Sequence, residues 1–221
     1  MAEEIDFISW VHKSTSRDYV ARVNEADKAE CAEKALQWDV DYWDGDRKFG
    51  YGGYKYDGRW RTVAEAMATR YGLNKNSQIL DVGCGKGFLL YEFTQIIPGC
   101  NVSGIDISQY AISNAKEEIR DCLRTGNAAN LPYQDNEFDF VFSINTLHNL
   151  FIDELHAALR ELSRVSRSNA YLTVEAYRNE REKINLLYWQ LTCRGFHTPD
   201  EWRWIFELAG YKGDYGFIYF E

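Results

Sequence analysis

The sequence predicts an α/β fold: a doubly wound, mostly parallel sheet with helices on both faces. Three observations predict it. Apolar Ile79, Leu80 and Val82 read as a short strand, glycines follow at 83, 85 and 87, and Phe88 to Ile97 read as a helix. A second apolar run closes on Gly104-Ile105-Asp106. From there strand-like and helix-like stretches alternate to residue 220, which places crossover helices on both faces of a parallel sheet.

Taken in order, residues 1–17 have no pattern that decides between a helix and a loose arm. Between Asp18 and Trp38, Val20, Val23, Ala26, Ala29, Ala32 and Leu36 recur at a helical period. Asp39 to Trp60 reads as a loop because it carries glycines at 45, 50, 52, 53 and 58, yet it is loaded with Tyr, Trp, Lys and Arg. A helix is expected from Arg59 to Tyr71, ended by Gly72. Strands are expected at 78–82, 101–106, 121–126, 138–143 and 170–175, with one or two more between Tyr211 and Phe220. Helices are expected at 88–97, 109–120 (capped by Ser108), 152–165, 181–192 and 199–209, the last opened by Thr198-Pro199. The chain divides into an N-terminal helix and glycine-aromatic lid segment, 1–58, and a ligand-binding domain, 59–221.

Composition bounds the function. The chain has 221 residues, 45% hydrophobic and 27% charged, which is ordinary for a globular protein. No apolar run approaches the ~20 residues of a membrane span, so no membrane partner is expected. The acidic start lacks the positive region of a signal peptide, and the five cysteines form no C-x-x-C pair. The expected location is therefore cytoplasmic. A net charge of −9 with no basic cluster argues against a nucleic-acid partner. No metal-ligand spacing is present among the histidines and cysteines, so no metal is expected.

The glycine loop carries the chemistry. A dinucleotide fingerprint needs G-x-G-x-x-G, but position 88 is Phe, and Asp81 stands where it would repel a pyrophosphate. A carboxylate there suits a ligand with an ammonium group instead. Asp106, ending the second strand, can accept hydrogen bonds from ribose hydroxyls.

D-x-G-x-G-x-G followed by a strand ending in Asp106, with Gly126-Asn127-Ala128 further on, resembles the class I S-adenosylmethionine-dependent methyltransferases over roughly residues 60–221. The resemblance implies a seven-stranded sheet of order 3-2-1-4-5-7-6 whose last strand is antiparallel. It implies S-adenosyl-L-methionine as cofactor and assigns residues to it. Asp81, Gly83 and Gly85 would face its amino-acid end, with Cys84 a small filler in the same loop. Asp106 would hold the ribose, Ile107 would cover the adenine, and Asn127 and Ala128 would meet the adenine edge. Ser143 would lie beside the methionine portion.

The acceptor side is read from the strand ends. His148 is the catalytic candidate, because an imidazole can remove a proton from an alcohol nucleophile at neutral pH. Asn145, Glu175, Tyr177 and His197 are candidates for orienting the substrate, and Tyr54, Tyr56 and Arg59 for a lid over it. His197 also sits in a helix start, and Glu175 suits a cap equally well. The expected activity is methyl transfer to an oxygen or nitrogen of a small polar metabolite, such as a sugar, nucleotide-sugar or anionic acceptor. The expected assembly is a monomer or homodimer. Competing classes are a dinucleotide-dependent oxidoreductase and a non-catalytic cofactor-binding module serving a partner protein.

Overall fold

A computed structural model describes residues 2–221. Its N-terminal quarter is a chain of short helices: α1 (Ser9–Lys13), α2 (Tyr19–Asn24), α3 (Lys28–Ala35) and α4 (Val40–Trp43). The helix expected over 18–38 is thus two, because the Asp27 carboxylate accepts from the amides of Ala29 and Glu30 and starts a new helix. After α5 (Arg61–Tyr71) the alternating part begins with β1 (Gln78–Val82), α6 (Phe88–Ile96), β2 (Asn101–Asp106) and α7 (Gln109–Ser113). Then follow β3 (Leu123–Thr125), β4 (Phe138–Ile144), α8 (Ile152–Val165), β5 (Ser166–Glu175), α9 (Glu180–Trp189), α10 (Pro199–Ala209) and β6 (Asp214–Ile218).

The sheet order is β3-β2-β1-β4-β5-β6, and every pairing is parallel. This corrects two expectations. Six strands are present among the described residues rather than seven, and the last one runs parallel. Residues beyond Gly210 supply a single five-residue strand, which pairs directly with β5 from Tyr171↔Asp214 to Glu175↔Ile218. A returning antiparallel strand would need a second run of similar length and a turn. The open edge of β6 meets the start of the chain, where the amide of Ile5 donates to the Tyr215 carbonyl at 2.7 Å.

Helices cover both faces. On one, α8 turns Leu155, Leu159 and Leu162 inward at i, i+4 and i+7, and α10 adds Trp202 and Phe206. On the other, Val63, Ala64 and Met67 of α5 and Leu89, Leu90 and Phe93 of α6 pack on Phe140 and Phe142. Each such buried Val, Leu, Met or Phe side chain contributes roughly 1.5–3 kcal/mol of transfer free energy. With both faces closed, ligands are left the rim beyond the carboxyl ends of the strands, where the order reverses between β1 and β4.

Candidate active site

The rim is organised by the glycine loop after β1. Gly83, Gly85 and Gly87 all have positive φ (86°, 53° and 71°), a region that L-residues with side chains rarely enter. A Cβ on Gly83 would stand 2.1 Å from Thr146 Oγ1, and one on Gly85 would stand 2.8 Å from the Trp43 ring. The loop is tied to β2 through Asp106, whose Oδ2 accepts from the Gly85 amide at 2.7 Å and Oδ1 from the Ser108 amide at 2.8 Å.

The N-terminal segment clamps this loop. The Trp43 indole N–H donates to Ser108 Oγ at 2.9 Å. Lys86, inside the loop and buried, is held by Asp44 at 2.6 Å and by the Tyr54 carbonyl at 2.9 Å. Tyr54 stacks on Phe88 at 5.0 Å. Sequence reasoning missed Trp43, Asp44 and Lys86; a lysine within a glycine loop and an Asp beside a Trp give no local signal of pairing.

Two cavities open at the strand ends. The smaller, about 280 Å³, runs past Gly83, Asp106, Ile107, Gly126, Asn127, Ala128 and Asn145, with Trp38 and Trp43 as its roof. The larger, about 400 Å³, is bounded by Tyr54, Arg59, Asn145, His148, Glu175 and Gln190, and by Arg17, Arg22 and Arg47 from the N-terminal segment. Tyr42, Tyr51, Asn145 and Asn149 line both. At this shared wall Asn145 has a left-handed backbone (φ 55°), and its Oδ1 is buried without a hydrogen-bond partner among the described residues.

In the larger cavity His148 and Glu175 form a buried pair. The Glu175 amide reaches His148 Nδ1 at 3.4 Å, and His148 Nε2 lies 3.4 Å from Glu175 Oε2. Burial lowers the imidazole to about 3 and raises the Glu175 carboxyl to about 8, so both rest neutral at neutral pH. An imidazole whose Nδ1 faces an amide carries its proton on Nε2. His148 therefore has no free lone pair to offer an acceptor. Gln190 donates to Glu175 Oε1, whereas Oε2 is buried without a partner among the described residues.

Other expected site residues fall elsewhere. Ser143 is fully buried and donates to the Val82 carbonyl at 2.7 Å, so it joins β4 to β1 and lines neither cavity. Cys84 packs inward toward Gly104 and contributes only backbone to the loop. Tyr56 turns outward to bond Glu92 at 2.6 Å. Tyr177 packs under α9 near Lys183, and His197 lies edge-on to Trp202 at 5.0 Å; neither lines a cavity. Arg59 reaches the larger cavity, already bonded to Asp57 at 2.7 Å.

Residues 80–174, from β1 to the end of β5, match the family described as a methyltransferase domain. Over those residues the chain carries a methyltransferase domain. An uncharacterized methyltransferase of Schizosaccharomyces pombe is 34% identical over 127 residues, 51% of this chain and 45% of that protein. The tRNA (carboxymethyluridine(34)-5-O)-methyltransferase of Arabidopsis thaliana is 31% identical over 130 residues, 58% of this chain and 30% of its own. The chain thus spans less than half the length of these curated relatives. Among solved structures, the YcgJ protein of Bacillus subtilis shares the fold at a TM-score of 0.55 and 19% identity, covering 66% of each chain.

The cofactor of the methyltransferase domain is S-adenosylmethionine, and the smaller cavity fits it. Asp81, near the end of β1, is 5% exposed and lines neither cavity. Burial and the neighbouring Asp106 push it well above the usual carboxylate range. Asp106 uses one lone pair on each oxygen for the loop and keeps another that could accept from a ligand hydroxyl. Ile107 (55% exposed), Asn127 and Ala128 offer an open wall for the adenine. Replacing Asp106 by Ala should weaken S-adenosylhomocysteine binding by about 1–3 kcal/mol in calorimetry. Unchanged affinity would restrict that carboxylate to holding the loop.

Proposed function

We propose that the chain moves a methyl group to an oxygen or nitrogen of a small polar acceptor held in the larger cavity. The shared wall carries this reading, because a cofactor in the smaller cavity and an acceptor in the larger one meet at Tyr42, Tyr51, Asn145 and Asn149. S-adenosylmethionine supplies an electrophilic methyl on a sulfonium; the side chains position the partner and handle its proton. Asn145 Oδ1 accepts a hydrogen from the acceptor and turns its nucleophilic lone pair toward the smaller cavity. Glu175 Oε2, once ionised, takes the nucleophile's proton as the new bond forms, and His148 packs beside it with Nε2 3.4 Å away. Burial raises Tyr42, Tyr51 and Tyr54, which keeps these hydroxyls protonated as donors rather than bases.

A cavity of about 400 Å³ and a net charge of −9 both favour a metabolite over a polynucleotide acceptor. Metabolite pools incubated with the chain and methyl-labelled cofactor should yield a labelled small product. Label found only in RNA or protein would overturn the small acceptor. Tight S-adenosylhomocysteine binding with no label anywhere would leave a cofactor-binding module.

Residues 45–60 act as a lid in this reading. Gly53 and Gly58 have positive φ and nothing near their Cα hydrogens, as joints require. Amide exchange across 45–60 should slow when S-adenosylhomocysteine binds. Exchange already slow in the free chain would make the segment a fixed clamp.

A further inference from the structure

We propose that Arg17, Arg22 and Arg47 form a binding site for an oxyanion group of the acceptor, a phosphate or a carboxylate. The inference rests on the larger cavity being the acceptor site and names the substrate class that it selects.

Three guanidinium groups share one indole. Their Cζ atoms lie 5.3, 5.3 and 5.2 Å from the centre of the Trp189 ring, for Arg17, Arg22 and Arg47 respectively. All four residues line the larger cavity. None of the three arginines forms an ion pair among the described residues, although most other arginines of the chain do. Their hydrogen bonds run to main-chain carbonyls and one imidazole. Arg17 donates to the carbonyls of His12 and Thr15 and meets His12 Nδ1, Arg22 donates to the Arg47 carbonyl, and Arg47 to that of Gly50. Arg17 Nε is buried with no partner.

Packing alone does not explain this arrangement. One cation over an indole is favourable, but each further guanidinium adds like-charge repulsion, and for Arg22 the acids Glu25 and Asp46 offset it without an ion pair. The acids of the same cavity do not supply a pairing anion: Asp57 is taken by Arg59, and burial keeps Glu175 neutral. An oxyanion entering the cavity would meet forked donors whose remaining N–H groups are unspent. It would also anchor the acceptor in the cavity that holds Glu175 and Asn145.

The test is calorimetry on the chain saturated with S-adenosylhomocysteine, using glucose 6-phosphate, glucuronate and glucose as probes at millimolar concentration. Binding of glucose 6-phosphate or glucuronate, but not glucose, is expected, and the stronger of the two tells phosphate from carboxylate. Arg22→Gln and the more exposed Arg47→Gln should each weaken that binding about tenfold or more. Their affinity for S-adenosylhomocysteine should stay at the wild-type value, which also certifies that they fold. Equal binding of glucose, no binding of either anion, or wild-type anion affinity in both variants overturns the proposal. So does preferential, arginine-dependent binding of a tRNA pool in competition. Failure to bind S-adenosylhomocysteine at all would instead strike the methyltransferase reading beneath it.

Discussion

Replacing Glu175 by Gln should lower the rate of methyl transfer by ~10²–10⁴, the usual share of a general base. Cofactor affinity should hold, because Glu175 lies outside the smaller cavity. The wild-type rate should rise with pH through about 8 as the carboxyl ionises, and the variant should lose that rise. His148→Gln should move the midpoint of this limb without abolishing it, as expected of a residue that positions the base. A glutamine variant with wild-type kinetics would remove Glu175 from the chemistry.

The same carboxyl sets a stability signature. Its native pKa, about 8, lies above its ordinary value of 4.5, so folding favours its protonated form. That contribution is full below pH 4.5 and is lost as pH rises toward 8, at no more than about 1.4 kcal/mol per pH unit. His148 acts in the opposite sense. Buried and lowered from 6.5 to about 3, it costs stability as pH falls below 6.5. The Glu175 effect therefore stands clear of His148 between pH 6.5 and 8. Melting curves should show Glu175→Gln gaining on the wild type across that window.

Gly83→Ala should be the most damaging single methyl in the loop. The new Cβ would fall 2.1 Å from Thr146 Oγ1 and 2.3 Å from its Cγ2, at a φ of 86°. Thr146 cannot easily turn aside, since its hydroxyl bonds the Ile144 carbonyl at 3.1 Å. Backbone strain of about 1–2 kcal/mol and overpacking of about 1–3 kcal/mol should together lower the melting temperature by roughly 10 °C. The pair Gly83→Ala with Thr146→Ala should recover the overpacking part and leave the strain. Full recovery would mean that the backbone tolerates the left-handed conformation without cost.

What the chain discloses in advance is its local grammar. The strands around the glycine loop were legible because apolar runs and glycines act on their own neighbours, and β1 and β2 begin and end where expected. The helix expected over 109–120 breaks at Ser113, where the Asn114 amide closes on Tyr110, Ala111 and Ile112. The direction of β6 was not legible, because a five-residue strand pairs equally well with either sense of neighbour. Of the cavity lining, Asp106, Asn127 and Asn145 were legible from their position at or just past a strand end. Ser143 misleads because β4 is buried on both faces, so alternation cannot say which side a residue presents. The arginines are invisible for another reason: residues 17, 22 and 47 gather around Trp189, on a helix far along the chain.

The meeting of residues 3–12 with β6 and the segment after it ties the wall of the larger cavity to contacts far apart in the chain. The Glu3 amide bonds the Asp214 side chain across 211 positions, and His12 and Phe220, from opposite ends of the described chain, stand together in the wall of the larger cavity. Most of the smaller cavity's floor, by contrast, is complete once residues 78–145 have paired. Closing the longest loop in the molecule is the slow, entropically dear event. Loosening the contacts of residues 3–12 with 214–220 should therefore disturb the larger cavity before the smaller one.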